Sequence, residues 1–293
     1  MTHNHQRDWF WRGWNIRYSY SRSLSDPTAT PVILLHGFGA GLGHWRHNIP
    51  ILAEDRTVYA LDLLGFGASR KAFTLYNIDL WSKQIYDFWQ VFIKCPVFLV
   101  GNSLGSLVCL NLAATYPDMI KGVIMISLPD PSVEWEMIPV SLHSLVSTIK
   151  GFFTSSLLIK PIFYFVRQNS IIKSALLTAY PHNENVDDQL INIIIKPTYD
   201  QGASGALCAI TKSSMMSNYS PSVKAILPQI NLPMLLLWGE SDRLIPPIFA
   251  DTLVKLNANL KLQKLSGLGH CPHDESPEIV NPIMINWLRE IDN

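Results

Sequence analysis

Ser103 sits in Gly101-Asn102-Ser103-Leu104-Gly105, which interrupts the apolar stretch VFLVGNSLGSLVCLNLAA. Two glycines so close together cost backbone entropy in any regular element, so something at this turn requires them. A serine on a tight strand-to-helix turn is held in a strained conformation with its hydroxyl projecting above the sheet. Residues two before and two after it must then lack bulk, as Gly101 and Gly105 do. The helix that follows brings its first amides, beginning with Leu104, toward a developing oxyanion. A hydroxyl is a poor nucleophile until a base takes its proton and a carboxylate orients that base. Both candidates lie downstream, in the order acid then histidine: Asp242 after PMLLLWGES, and His270 after LKLQKLSGLG. Asp130, after GVIMIS, and Glu240, in the loop of Asp242, are rival acids. His273 is the rival base, although the Asp-Glu-Ser-Pro that follows reads as a helix start and suits a structural partner of the turn. His44 and His47 form an H-x-x-H pair without a third ligand, so no metal site is expected. The remaining histidines read as surface or tail residues.

Such a trio needs a scaffold with loops gathered at the ends of strands. WFWRGWNIRYSY reads as a hairpin or a pair of edge strands broken at Gly13. PVILL, TVYAL and VFLV are short apolar runs without alternation, the pattern of strands covered on both faces. Between the last two, Ile78, Trp81, Ile85, Phe88 and Phe92 recur with helical period. Strands alternating with helices predict a doubly wound, mostly parallel α/β sheet, with function at the carboxyl ends of the strands.

The 293 residues are 48% apolar, enough for a large core. Lysine plus arginine equals aspartate plus glutamate at 23 each, so no basic field invites nucleic acid. Gly37, Gly39, Gly41 and Gly43 recur every second residue with no lysine after them, which fits neither nucleotide-binding glycine pattern. No cofactor is implied. Cys95, Cys109, Cys208 and Cys271 are scattered, as reduced thiols of a cytosolic-type compartment would be. The amino terminus lacks the apolar core of a signal peptide, and no uncharged apolar run is long enough to span a bilayer.

Between GVIMIS and PMLLLW the alternating grammar breaks. Residues 131–221 read as a helical cap inserted between core segments 1–130 and 222–293, the expected place for substrate selection. From Ser141 to Tyr180 the only charges are Lys150, Lys160, Arg167 and Lys173, interleaved with GFFTSSLLI and PIFYFV. Apolar stretches with only basic charges suit a membrane interface or a tunnel for a long isoprenoid, or they pack the cap on the core.

His36-Gly37-Phe38-Gly39, Asp62-Leu63-Leu64-Gly65-Phe66-Gly67-Ala68-Ser69, the Ser103 turn, Trp238-Gly239-Glu240-Ser241-Asp242 and Gly269-His270 together resemble the α/β-hydrolase superfamily over nearly the whole chain. The resemblance implies the α/β-hydrolase fold, Phe38 and Leu104 amides as the oxyanion hole, and a structural role for Asp62. Dehalogenase and epoxide-hydrolase relatives carry aspartate at the nucleophile position, so Ser103 points to ester or thioester chemistry, with carbon–carbon hydrolysis as a further option. HGFGAGLGHWRHNIPILAEDRTVYALDLLGFGASRKA with GNSLGSLVCLNLAATYPD is similar to the plant and cyanobacterial hydrolases that include pheophytinase and chlorophyll dephytylase. That likeness implies an apolar ester substrate, the phytyl ester of chlorophyll or a derivative, and a place at a photosynthetic (thylakoid) membrane. A general carboxylesterase or lipase-like enzyme and a ligand-binding receptor on a hydrolase scaffold are the competing expectations.

Overall fold

In the computed structural model the described residues are 5–23, 25–130 and 156–292, with backbone only for 156–160. The first part of the expected cap, 131–155, with Lys150 and most of GFFTSSLLI, lies outside the described residues.

β1 (His5–Trp11) and β2 (Trp14–Ser21) form the expected hairpin, with Trp11 opposite Trp14. The two linking residues, Arg12 (φ 51°) and Gly13 (φ 80°), are both left-handed, as a type I′ turn demands. β3 (Val32–Leu35), β4 (Val58–Leu61), β5 (Val97–Asn102), β6 (Ile120–Ile126), β7 (Met234–Gly239) and β8 (Leu260–Leu265) complete one sheet ordered β1-β2-β4-β3-β5-β6-β7-β8. From β4 to β8 every neighbouring pair is parallel, and the hairpin joins β4 antiparallel.

The runs that lack alternation are buried on both faces. Ile33, Leu35, Leu99, Val123 and Met125 face one core, under α2 (Ile78–Phe92) and α3 (Leu104–Thr115). Their neighbours Val32, Leu34, Val100, Ile124 and Ile126 face the other. The α-helix Ile49–Asp55 and the carboxyl-terminal helix Pro277–Asp292 close that side. On α2 the expected stripe is fully buried at Ile78, Trp81, Ile85 and Phe88. Phe92, in the last turn, is 40% exposed instead and meets the rings of Trp9 and Tyr18 at the sheet's hairpin edge.

The chain runs from β3 to β4 on one side and then crosses to β5 on the other, so strand direction of travel reverses between β3 and β5. A crevice opens at such a switch point, beyond the carboxyl ends of the two strands. Among the described residues four helices stand over it: α4 (Ser156–Val166), α5 (Asn169–Ala179), α6 (Asp188–Ile195) and α7 (Ala203–Ser214). They carry a small core of their own around Ile172, Tyr180, Leu190 and Ile195, into which Cys271 reaches from below. Lys71 ties them to the sheet through Asp200 at 3.0 Å, and Arg46 through Asp187 at 2.9 Å.

A very close backbone approach lies under the crevice. A Cβ on Gly105 would overlap the carbonyl of Leu35, and one on Gly101 would overlap the backbone of Gly105. Gly105→Ala is therefore expected to cost about 3 kcal/mol or more of stability, read as a lowered melting temperature or insoluble expression. A melting temperature equal to that of the native protein contradicts this packing.

Candidate active site

β5 ends at Asn102 and α3 begins at Leu104, leaving Ser103 at φ 52°, ψ −113°. The conformation is unfavourable for a residue with a side chain, and the surrounding contacts hold it there. The Ser103 amide donates to the carbonyl of Ile126 at 2.9 Å, and its carbonyl accepts from the amides of Ser106 and Leu107. The loop after β3 passes directly beside it: a Cβ on Gly37 would lie 3.5 Å from Ser103 Cβ and 2.8 Å from Asn102 Oδ1. Phe38 is thereby carried to the rim of the crevice, 55% exposed, while the side chain of Leu104 is in the core.

His270 follows β8 and turns its Nδ1 to Asp242 Oδ2, 2.8 Å away. Asp242 follows β7, and its other oxygen accepts from the amides of Leu244 and Ile245, both at 2.9 Å. An ionised Asp242 accepts from Nδ1–H, so the Nε2 lone pair of His270 is left to take a proton. Of the rival acids, Glu240 is exposed, and Asp130 is buried after β6. The position of His270 is fixed by its backbone. Its amide donates to the carbonyl of Ala179 at the end of α5, and its carbonyl accepts from Asn102 Nδ2 at 3.1 Å.

Ser103 and His270 line one cavity of about 450 Å³. Its walls are overwhelmingly apolar, with Phe66 and Leu244 from the sheet side and Phe163, Leu176, Leu207 and Ile210 from the overlying helices. Two cations also line it, Lys71 and Arg167. Lys71 is consumed by Asp200 and by the carbonyls of Gly67 and Ser69, and Arg167 lies over the rings of Tyr164 and Tyr199.

The other histidines divide by their partners. His36 is fully buried, contrary to the surface position expected from the sequence. Its Nε2 accepts from the amide of Leu63 at 3.0 Å, so Nδ1 carries the proton and donates to the carbonyl of Gly37. Burial pushes its pKa down to about 4, and the ring stays neutral as a brace between the loops after β3 and β4. His44 contacts Tyr180 at 2.8 Å, and Tyr180 in turn donates to Asp274 Oδ2 at 2.9 Å. His47 accepts from Arg46 Nε. His273 packs edge-on to His44 and against Trp45, with neither ring nitrogen hydrogen-bonded. Its role is packing and not the hydrogen-bonding of a turn, and burial lowers its pKa far below the usual value. Among the described residues no group of three or more acidic, histidine or cysteine side chains could hold a metal ion. Asp62 receives the amides of Leu42 and Ala68, both at 2.6 Å, and burial raises it to about 6. It organises the two glycine-rich loops from beneath.

A family model described as the alpha/beta hydrolase family matches residues 32–283. The chain belongs to the alpha/beta hydrolase family. It is similar to the chloroplastic pheophytinase of Arabidopsis thaliana, 26% identical across 95% of this chain and 65% of that protein, so it spans less than two thirds of that relative's length. Epoxide hydrolase 3 of Xenopus tropicalis is 25% identical over 94% of this chain and 75% of its own. Among solved structures, a serine hydrolase involved in carbazole degradation superposes with a TM-score of 0.79 at 20% identity, covering 98% of this chain and 99% of that one. The structural match carries the fold, and the family model carries the family.

A neutral buried His36 has a sign that stability measurements can read. Its folded pKa lies below its unfolded value of about 6.5, so its contribution is present above pH 6.5 and fades as pH falls toward 4. His36→Gln should therefore destabilise most at pH 7 and progressively less at pH 5 and 4, in denaturant titrations. A penalty that grows as pH falls would contradict the neutral assignment.

Proposed function

We propose that the protein hydrolyses carboxylic esters of bulky apolar alcohols, and that its substrate is the phytyl ester of chlorophyll or a derivative. The observation that carries this reading is a strained serine and a carboxylate-bound histidine lining one apolar cavity at the switch point of the sheet. Ser103 Oγ attacks the ester carbonyl as His270 Nε2 takes its proton, and Asp242 stabilises the imidazolium that results. The amides of Phe38 and Leu104 receive the oxyanion, each expected to lower the barrier by about 3 kcal/mol. Collapse of the tetrahedral intermediate breaks the bond to the alcohol, which leaves with the proton from His270. Water, deprotonated by His270, then attacks the acyl-enzyme, and the acid departs with Ser103 restored. No cofactor enters these steps.

The cavity lies in the size range of apolar pockets that hold drug-sized groups, about 300–1,000 Å³, and its apolar walls suit the alcohol chain of such an ester. The similarity to pheophytinase supports phytyl esters within the class. The helices over the cavity support a cap at 131–221 between core segments 1–130 and 222–293. On α4, Ile162, Phe165 and Val166 share one helical face and are 38%, 58% and 44% exposed. With Arg167 next in the chain, Lys173 exposed on α5 and no acidic residue from 156 to 183, this face supports peripheral contact with a membrane holding the ester. No helix among the described residues is long and apolar enough to cross a bilayer.

Chromatography of chlorophyll a and pheophytin a incubated with the protein in mild detergent tests the substrate. The expected result is loss of pigment ester with release of phytol, abolished in Ser103→Ala and reduced about 10⁴-fold in Asp242→Asn. Intact pigments beside cleavage of a short aryl ester would replace this reading by a general esterase. Pigment bound without product, equally by Ser103→Ala, would replace it by a receptor.

Sedimentation with vesicles tests the membrane contact. Phe165→Asp should release the protein from vesicles containing anionic lipid while cleavage of a soluble ester is unchanged. Undiminished binding would reject α4 as the contact.

A further inference from the structure

The three consecutive amides of Gly269, His270 and Cys271 are all hydrogen-bonded, and one carboxylate accepts from the outer two. Glu275 Oε2 accepts from the Gly269 amide at 2.8 Å, and Oε1 accepts from the Cys271 amide at 3.0 Å. Glu275 is 5% exposed and closes the short helical turn Pro272–Glu275. The backbone at Gly269 has no slack, because a Cβ there would overlap the carbonyl of Ala179 and lie 3.1 Å from Glu275 Oε1. A planar group with acceptors at both oxygens is what two converging N–H groups require, and a glutamine would turn its NH₂ on one of them.

We propose that Glu275 is a positioning residue for His270, its carboxylate clamping the amides on both sides so that the imidazole is held between Asp242 and Ser103. This rests on the reading of His270 as the general base. Hydrogen bonds from two amides to one ionised carboxylate are of the strong, charge-assisted kind, and they set the geometry of the loop on both sides of His270. A displacement of about 1 Å at a reacting group costs on the order of 10²-fold in rate.

The clamp is also titratable. Burial raises Glu275 to about 7, opposed by its two amide bonds, with Asp242 pushing it further up and His182 drawing it down. Asp274 is next to it in the chain, and the Tyr180 hydroxyl and Cys271 thiol facing it are held protonated by burial. Protonation of Glu275 turns one acceptor oxygen into an O–H that meets an N–H, and one arm of the clamp opens. Protonation of Glu275 therefore contributes to the acid limb of kcat in the native enzyme.

The test is kcat and KM against pH on 4-nitrophenyl butyrate for the native protein, Glu275→Gln, Glu275→Asp and Ser103→Ala, each with its melting temperature. Glu275→Gln is expected to lower kcat about 10–100-fold with KM changed less than about threefold. Its acid limb should lose the contribution of Glu275 and become shallower. Glu275→Asp, charged but too short to reach both amides, should lower kcat while keeping a titrating carboxylate in the limb. A folded Glu275→Gln with native kcat and native acid limb overturns the proposal, as does a lowered kcat with an unmoved limb. If Glu275→Gln does not fold, native kcat in Glu275→Asp overturns it. Activity retained by Ser103→Ala would instead refute the underlying ester-hydrolase reading, separately from the clamp.

Discussion

Between the carbonyl of Leu35 and the α-carbon of Gly105 there is no room for a methyl group, and the same holds between Gly101 and the backbone of Gly105. These contacts press the start of α3 onto the ends of β3 and β5. The chain can turn from β5 into α3 in that space only if the residue between them takes a positive φ, and Ser103 is that residue. Its strain is sustained by the bond from its amide to Ile126 and the two bonds its carbonyl receives from α3. The loop of Phe38 is drawn alongside because Gly37 fits against Asn102 and Ser103. One packing constraint thus presents the serine hydroxyl and gathers the neighbouring loop at the mouth of the cavity.

The titratable groups around this point are sorted by what they are bonded to. His36 spends both ring nitrogens on backbone partners and is locked neutral. His44 is tied to Tyr180, and His273 is surrounded by rings. His270 faces a carboxylate at Nδ1, the arrangement in which a gained proton at Nε2 is stabilised. Similar residue types in one buried layer therefore have different chemistry, and the difference lies in partner and not in burial.

Much of this was legible in the sequence wherever a local pattern has a single physical solution. The unbroken apolar runs became doubly covered strands, and Gly13 became the left-handed corner of a hairpin. The glycine pair around Ser103 became a helix jammed onto a strand. Asp242 and His270 each follow a strand, and the structure brings them into contact. Less legible were features made by residues far apart in the chain. The ties from the overlying helices, Lys71 to Asp200 and His44 to Tyr180, pair positions with no local signal. Nothing in the sequence marks Ala179 as the acceptor for His270. Glu275 read only as part of a helix start, because its two amide partners precede that helix. His36 was misplaced because a histidine is admitted to a core by its hydrogen-bond partners, which composition does not reveal.

Covalent capture tests directly whether Ser103 is a nucleophile activated by His270. The native protein, Ser103→Ala and His270→Ala would each be incubated with an alkyl fluorophosphonate and weighed intact by mass spectrometry, with the adduct located by peptide mapping. The expected result is one adduct per native chain, on Ser103, none on Ser103→Ala, and a greatly slowed reaction for His270→Ala. A native protein that stays unlabelled, or that carries its adduct on another residue, would contradict it.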